Sequence, residues 1–115
     1  HRDALKFFGP GDDSDNIRWM AVAEDGKMAG YVFLIEIKTK IPKLGICVAE
    51  SACGRHLGTQ LMKTAETWAR ENGKGGIMLA THSANIRGQS LYEKCGYSNI
   101  GIHRGSGEFL YLLRF

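Results

Sequence analysis

No apolar run in this sequence approaches the ~20 residues that a membrane-crossing helix needs, and no basic-then-apolar leader opens it. Neither a spanning helix nor a secretory signal is therefore expected. The three cysteines, Cys47, Cys53 and Cys95, are an odd number, and neither CxxC nor a cysteine–histidine spacing occurs. That argues against a disulfide framework and against a zinc site. No metal is expected, and the thiols read as free in a reducing, cytoplasmic compartment. Net charge is only +3, and the fifteen basic residues are scattered rather than clustered. This balance suits a small anionic ligand but not a nucleic-acid surface. Repeats and low-complexity segments are absent. The acidic segment 12–16 lacks the alternating donors and terminal Glu of a calcium loop, so it reads as a solvated, mobile loop. A chain of 115 residues, 43% hydrophobic and 23% charged, is expected to form one domain (1–115) around one core.

The remaining pattern is mixed α/β. Residues 2–8 read as the end of a helix stopped by Gly9-Pro10-Gly11, and 1–17 as a whole carry little signal. Trp19–Ala23 and Met28–Ile37 form an antiparallel pair around an Asp25-Gly26 turn. Thr39–Pro42 then leads into a third strand, Lys43–Ala49. A helix over about 54–72 places Leu57, Leu61, Met62, Ala65, Trp68 and Ala69 on one apolar stripe, with Trp68 read as core and Asn72-Gly73 as the C-terminal stop. Ile77–Thr81 is a short buried strand. Strand, helix, strand in that order predicts a parallel, right-handed crossover. Asn85 caps a second helix over about 86–94. A last hairpin, Tyr97–Arg104 with Glu108–Phe115, turns at Gly105-Ser106-Gly107. The predicted order is β-β-β-α-β-α-β-β.

The chain is organised around Leu44–Thr59, where a buried strand runs through a polar turn into the first helix. The first amides of a helix have no partner inside it, and the aligned peptide dipoles place about half a positive charge there. Gly54 and Gly58 let backbone approach an anion without an intervening Cβ. A pyrophosphate cradle over Gly54 to Thr59 follows, although Gly-x-x-x-Gly at a helix start also occurs as a plain tight turn. Gly58 is followed by Thr59-Gln60, which excludes a Walker A loop, and the spacing is not the Gly-x-Gly-x-x-Gly of dinucleotide sites.

Two separated motifs, in matching strand and helix context, resemble those of the GNAT superfamily of acetyl-CoA-dependent N-acetyltransferases. Cys53-Gly54-Arg55-His56-Leu57-Gly58 stands at the superfamily's Arg/Gln-x-x-Gly-x-Gly/Ala signature, and Asn85 with Leu91-Tyr92-Glu93-Lys94-Cys95-Gly96-Tyr97 at its second. The second match is close. In the first, Cys53 replaces Arg or Gln and His56 replaces the central glycine. The resemblance covers about Trp19 to Phe115. It implies a GNAT-like fold, a mostly antiparallel sheet with a central parallel pair splayed around the cofactor. It implies acetyl-CoA as co-substrate. Its pantetheine arm would pair with the backbone of Ile46, Cys47 and Val48, and its pyrophosphate would sit on Cys53, Gly54, Arg55, His56, Leu57, Gly58 and Thr59. Asn85 and Tyr92 would face it from the second helix. Superfamily members place a strand and one or two helices ahead of the Trp19 hairpin. Eighteen residues precede it here, so the wall on the acceptor side is expected to be trimmed or missing.

The implied reaction is direct attack of a primary amine, from a small molecule or a peptide, on the thioester. The resemblance makes Tyr92 the catalytic acid at the departing thiolate. A phenol (pKa ~10) is a weaker acid than a thiol (~8.5), which favours hydrogen-bond stabilisation over full proton transfer. Asn85 and Tyr92, seven residues apart, share a helix face. An alkylammonium is neutral in only about one molecule in a thousand at pH 7, so a base or water relay is required. Many relatives carry a glutamate on the third strand. Lys43–Ala49 has none, which leaves Glu36, Glu50, His82 and Glu108 open. A GNAT-like domain that binds CoA or a protein partner without catalysis is the rival reading; Cys53 and His56 favour it, and the Asn85/Tyr92 pair opposes it. Neither nucleic acid nor membrane is an expected partner, and a homodimer through the last strands is compatible with the fold.

Overall fold

The computed structural model describes residues 5–12, 15–50 and 56–115. Seven strands form one sheet: β1 (Leu5–Asp12), β2 (Asn16–Ala23), β3 (Met28–Ile35), β4 (Lys43–Val48), β5 (Gly76–Thr81), β6 (Ser98–Ile102) and β7 (Phe109–Arg114). Helix α1 (Leu57–Glu71) links β4 to β5, and α2 (Ile86–Lys94) links β5 to β6. The strand order is β1-β2-β3-β4-β5-β7-β6. Every neighbouring pair is antiparallel except β4–β5, which is parallel and paired only at Lys43↔Met78. The structure therefore has the mixed α/β, mostly antiparallel architecture with a splayed central pair.

β1 corrects the sequence reading of residues 2–8. Where a helix end was expected, Leu5–Asp12 is an edge strand running from Leu5↔Ala23 to Asp12↔Ile17. Gly9-Pro10 interrupts the register between Phe8 and Gly11 without ending the strand. Proline lacks an N–H and is tolerated on an edge, where a bulge accommodates it. Gly9, at φ +130°, is required there: a Cβ would come within 2.8 Å of both the Arg18 carbonyl oxygen and the Trp19 ring. The element order thus gains one strand, β-β-β-β-α-β-α-β-β. The expected loop over 12–16 is also shorter, because Asp12 closes β1 and Asn16 opens β2, while residues 13–14 lie outside the described residues.

The Asp25-Gly26 turn forms as read, with Gly26 at φ +85° and the Lys27 amide donating to Asp25 Oδ1 at 2.9 Å. α1 lays Leu57, Leu61, Met62, Ala65 and Ala69 on the sheet, against a core that includes Val32, Leu34, Ile77 and Tyr111. Trp68 packs at the margin of that core. The helix ends through Asn72 and a left-handed Gly73 (φ +71°), whose amide donates to the Arg70 carbonyl. The N-terminal ends of both helices come to one opening, beside Ile46 and Val48 of β4.

Candidate functional site

Beyond Lys43↔Met78 the two parallel strands separate, and the gap is a property of main-chain alternation. The Met78 amide donates to the Pro42 carbonyl on the β5 side of β4, whereas the Ala49 amide donates to the Ala29 carbonyl on the β3 side. Successive residues of a strand alternate in direction, so the main-chain groups of Ile46 and Val48 face the gap. Those of Cys47 face β3. A cavity of about 520 Å³ opens at this gap. Its walls include Ile46 and Val48 of β4, the residues 56–59 that open α1, and Asn85 and Tyr92 of α2.

The opening of α1 suits an anion. His56 is its N-cap residue, its side chain makes no capping hydrogen bond, and no acidic residue occupies the first turn. The Gln60 amide returns to the His56 carbonyl at 3.1 Å, which leaves the amides of Leu57, Gly58 and Thr59 ahead of the intrahelical ladder. His56 itself stands in the left-handed region (φ 61°, ψ 15°), where a side chain is strained and glycine is not. Gly58 has a packing role besides: a Cβ there would lie 3.0 Å from Leu91 of α2. The small residue lets the two helices approach.

On α2, Asn85 Oδ1 accepts the Gly88 amide at 3.0 Å, and Asn85 Nδ2 donates to Thr81 Oγ1 at 3.0 Å. Tyr92 is 6% exposed, and its ring packs obliquely on Tyr97 and Tyr111 at 6.5 and 5.8 Å. Burial pushes its phenol above the ordinary tyrosine value, and the neighbouring Thr81 hydroxyl opposes that rise. The group is thus held protonated at neutral pH and is a donor.

Most of the residues expected at the site from the sequence come together here: Ile46, Val48, His56, Leu57, Gly58, Thr59, Asn85 and Tyr92 all line the cavity. Cys47 does not. Its side chain is exposed, it pairs with Tyr31, and strand alternation turns it from the gap. Cys53, Gly54 and Arg55 lie outside the described residues. Of the four candidate bases, Glu50 lines the cavity. Glu36 sits at the opposite end of β4, paired with Lys43 at 3.2 Å. His82 accepts the Ala84 amide on its ring, and Glu108 accepts the Ser106 hydroxyl in the last hairpin. The sequence reading missed Arg87 and Lys94, which also line the cavity. Their spacing of seven repeats that of Asn85 and Tyr92, and this period was the available signal. Among the described residues, no group of three or more His, Cys, Asp or Glu is placed to hold a metal ion, and no helix is long and apolar enough to cross a membrane.

Comparison with known proteins agrees with this geometry. The acetyltransferase (GNAT) family profile matches residues 2–97. Streptothricin acetyltransferase of Streptomyces lavendulae is 30% identical over 94 residues, 80% of this chain and 50% of that protein. A dTDP-fucosamine acetyltransferase of Escherichia coli O6:H1 is 32% identical over 74 residues, 64% of this chain and 31% of that one. The chain thus spans half or less of the length of these relatives. Among solved structures, the PaiA N-acetyltransferase of Thermoplasma acidophilum, in complex with coenzyme A, superposes with a TM-score of 0.79 at 22% identity, over 88% of this chain and 62% of that one. A nourseothricin acetyltransferase gives 0.74 at 26% identity, over 88% and 65%. A profile match over most of the chain, joined to a splayed β4–β5 pair and an uncapped α1 start, makes this chain a member of the GNAT acetyltransferase family.

Proposed function

We propose that this chain transfers an acetyl group from acetyl-CoA to a primary amine by direct attack within a ternary complex. The observation that carries the reading is one cavity bounded by three things: main-chain groups of β4 and opening amides of α1 that have no partner among the described residues, and the protonated Tyr92 hydroxyl. Acetyl-CoA supplies the activated acyl group. The main chain of Ile46 and Val48 holds its pantetheine arm as an added strand, and the amides of Leu57 to Thr59 take the pyrophosphate. His56, Arg87 and Lys94 add side chains suited to an anion at the same opening. Tyr92 donates a hydrogen bond where thiolate charge develops, which lowers the barrier to its departure. Glu50 is the carboxylate at the cavity and the base, directly or through water. The relatives named for streptothricin and dTDP-fucosamine support an amine acceptor.

Isothermal titration of acetyl-CoA and CoA into the wild type and Tyr92→Phe tests the cradle, and a panel of amines including streptothricin and spermidine tests turnover. Micromolar binding by both proteins, with turnover reduced in Tyr92→Phe, is the expected result. Absence of binding at millimolar ligand would sink the reading. Binding without turnover on any amine would favour a CoA-binding domain that does not catalyse.

A further inference from the structure

Helix α2 rests on the remainder of the molecule at few points. Of its nine residues only Tyr92 is buried, and it is the residue whose hydroxyl meets the departing thiolate in the proposed reaction. Its two chain neighbours hold it from opposite sides. Leu91 packs at the margin of the core beside α1, close enough that a Cβ on Gly58 would meet it at 3.0 Å. Glu93 accepts the Tyr111 hydroxyl on Oε2 at 2.9 Å. A carboxylate can only accept, so the direction of this bond is fixed, and its charge makes it stronger than a bond between neutral groups.

Tyr111 is a firm anchor. It is 1% exposed and lies in β7 between Leu79 of β5 and Asn99 of β6. Its ring also packs on that of Tyr92, with centroids 5.8 Å apart and planes at 59°. One side chain thus supports the Tyr92 ring and holds the next residue of the helix by its tip. Successive helical residues are turned by about 100°, so Leu91 and Glu93 flank Tyr92. Contacts on both flanks oppose a roll of α2 in either direction. The other end of the helix is tied separately, where Asn85 Nδ2 donates to Thr81 Oγ1 at 3.0 Å.

We propose that Tyr111 and Glu93 are positioning residues for acetyl transfer: their hydrogen bond fixes the roll of α2 and so aims the Tyr92 hydroxyl at the thioester sulfur. A reacting group must be held within about 0.5 Å of its productive place. The Tyr92 hydroxyl stands at the tip of a long side chain, so a small roll of the helix is enough to lose the contact. The inference rests on the reading of Tyr92 as the donor to sulfur.

The test requires no acceptor amine. CoA and desulfo-CoA, which lacks the sulfur, are titrated calorimetrically at pH 9.5, where a thiol of ordinary pKa ~8.5 is mostly thiolate. The readout is the ratio of the two affinities, because a change that only loosens the cavity weakens both ligands and leaves the ratio alone. The wild-type preference for CoA should exceed that of Tyr92→Phe about ten-fold, the scale of a hydrogen bond to a charged group. Tyr111→Phe keeps the ring and loses only the tether, and Glu93→Ala breaks the same bond from an exposed position. Each should lose about three-fold or more of that preference, the scale of one net hydrogen bond. Glu93→Gln retains an acceptor oxygen and should stay near the wild-type ratio. Tyr92→Phe combined with Tyr111→Phe should match Tyr92→Phe, since the tether acts only through the missing hydroxyl. A wild-type ratio in Tyr111→Phe or Glu93→Ala overturns the clamp. So does a Glu93→Gln ratio no better than that of Glu93→Ala, or a further loss in the double variant. Equal ratios in wild type and Tyr92→Phe overturn the sulfur contact, and no binding of either ligand overturns the cradle; the clamp falls with both, by a distinguishable result.

Discussion

His56 carries a Cβ in left-handed backbone at the helix start that should receive an anion, and the two demands act on one residue. The conformation costs about 1 kcal/mol for a non-glycine side chain. His56→Gly should therefore raise the stability of the folded chain by about 0.5–1 kcal/mol in thermal unfolding, part of the gain being offset by the greater freedom of glycine in the unfolded state. It should also tighten acetyl-CoA binding if the imidazole obstructs the amides, and loosen it if the ring contacts phosphate; calorimetry distinguishes the two. Tyr92→Phe removes one oxygen and leaves the ring packed on Tyr97 and Tyr111. We expect kcat to fall about 10- to 100-fold with KM for acetyl-CoA near wild type, the pattern of an interaction made chiefly in the transition state.

Between elements, α2 shows how far local chemistry carries. Its bounds, Ile86–Lys94, follow from a capping asparagine, an apolar-polar period and a closing glycine, all local signals that the structure reproduces. The same cap has a second partner on β5, which no local rule reveals, so Asn85→Ala should cost more than the ~1 kcal/mol of an ordinary cap because it also strips Thr81 of its donor. Chemical denaturation of Asn85→Ala against wild type measures this. β1 was illegible for the converse reason. Gly9-Pro10 is a stop in any local reading, and only the neighbouring β2 makes it a bulge. Cys47 and the gap at β4 were decided by pairing on both sides of the strand, which a single strand's sequence does not contain. The apolar stripe of α1, in contrast, was plain because its five buried positions keep the helical period.

For the whole molecule, pH acts through a carboxyl carried by α1 and set near Tyr97, in the segment after α2. Glu66 is pushed above the usual carboxylate range by burial, against the pull of the Arg70 and Lys63 charges. One of its oxygens and the Tyr97 hydroxyl are buried without a hydrogen-bond partner. A carboxyl whose folded pKa is raised contributes stability that is fully present below its unfolded pKa and lost as pH rises through the folded one. Glu66→Gln should accordingly raise Tm at pH 7–8, with the advantage fading as the solution is acidified; differential calorimetry across pH checks it. Acetyl-CoA at about a hundred times its Kd should stabilise the wild type by about 2.7 kcal/mol.

The lone rung at Lys43↔Met78 makes the sheet two leaves, β1–β4 and β5–β7–β6, stitched by one parallel pairing and by α1, which passes from one to the other. If the pantetheine arm completes the ladder along Ile46 and Val48, the ligand is a piece of the protein's own architecture that arrives from solution. Before it binds, these two amides should exchange their protons quickly for residues so near the core. Afterwards they should slow to match their β3 neighbours, and the two leaves should unfold as one.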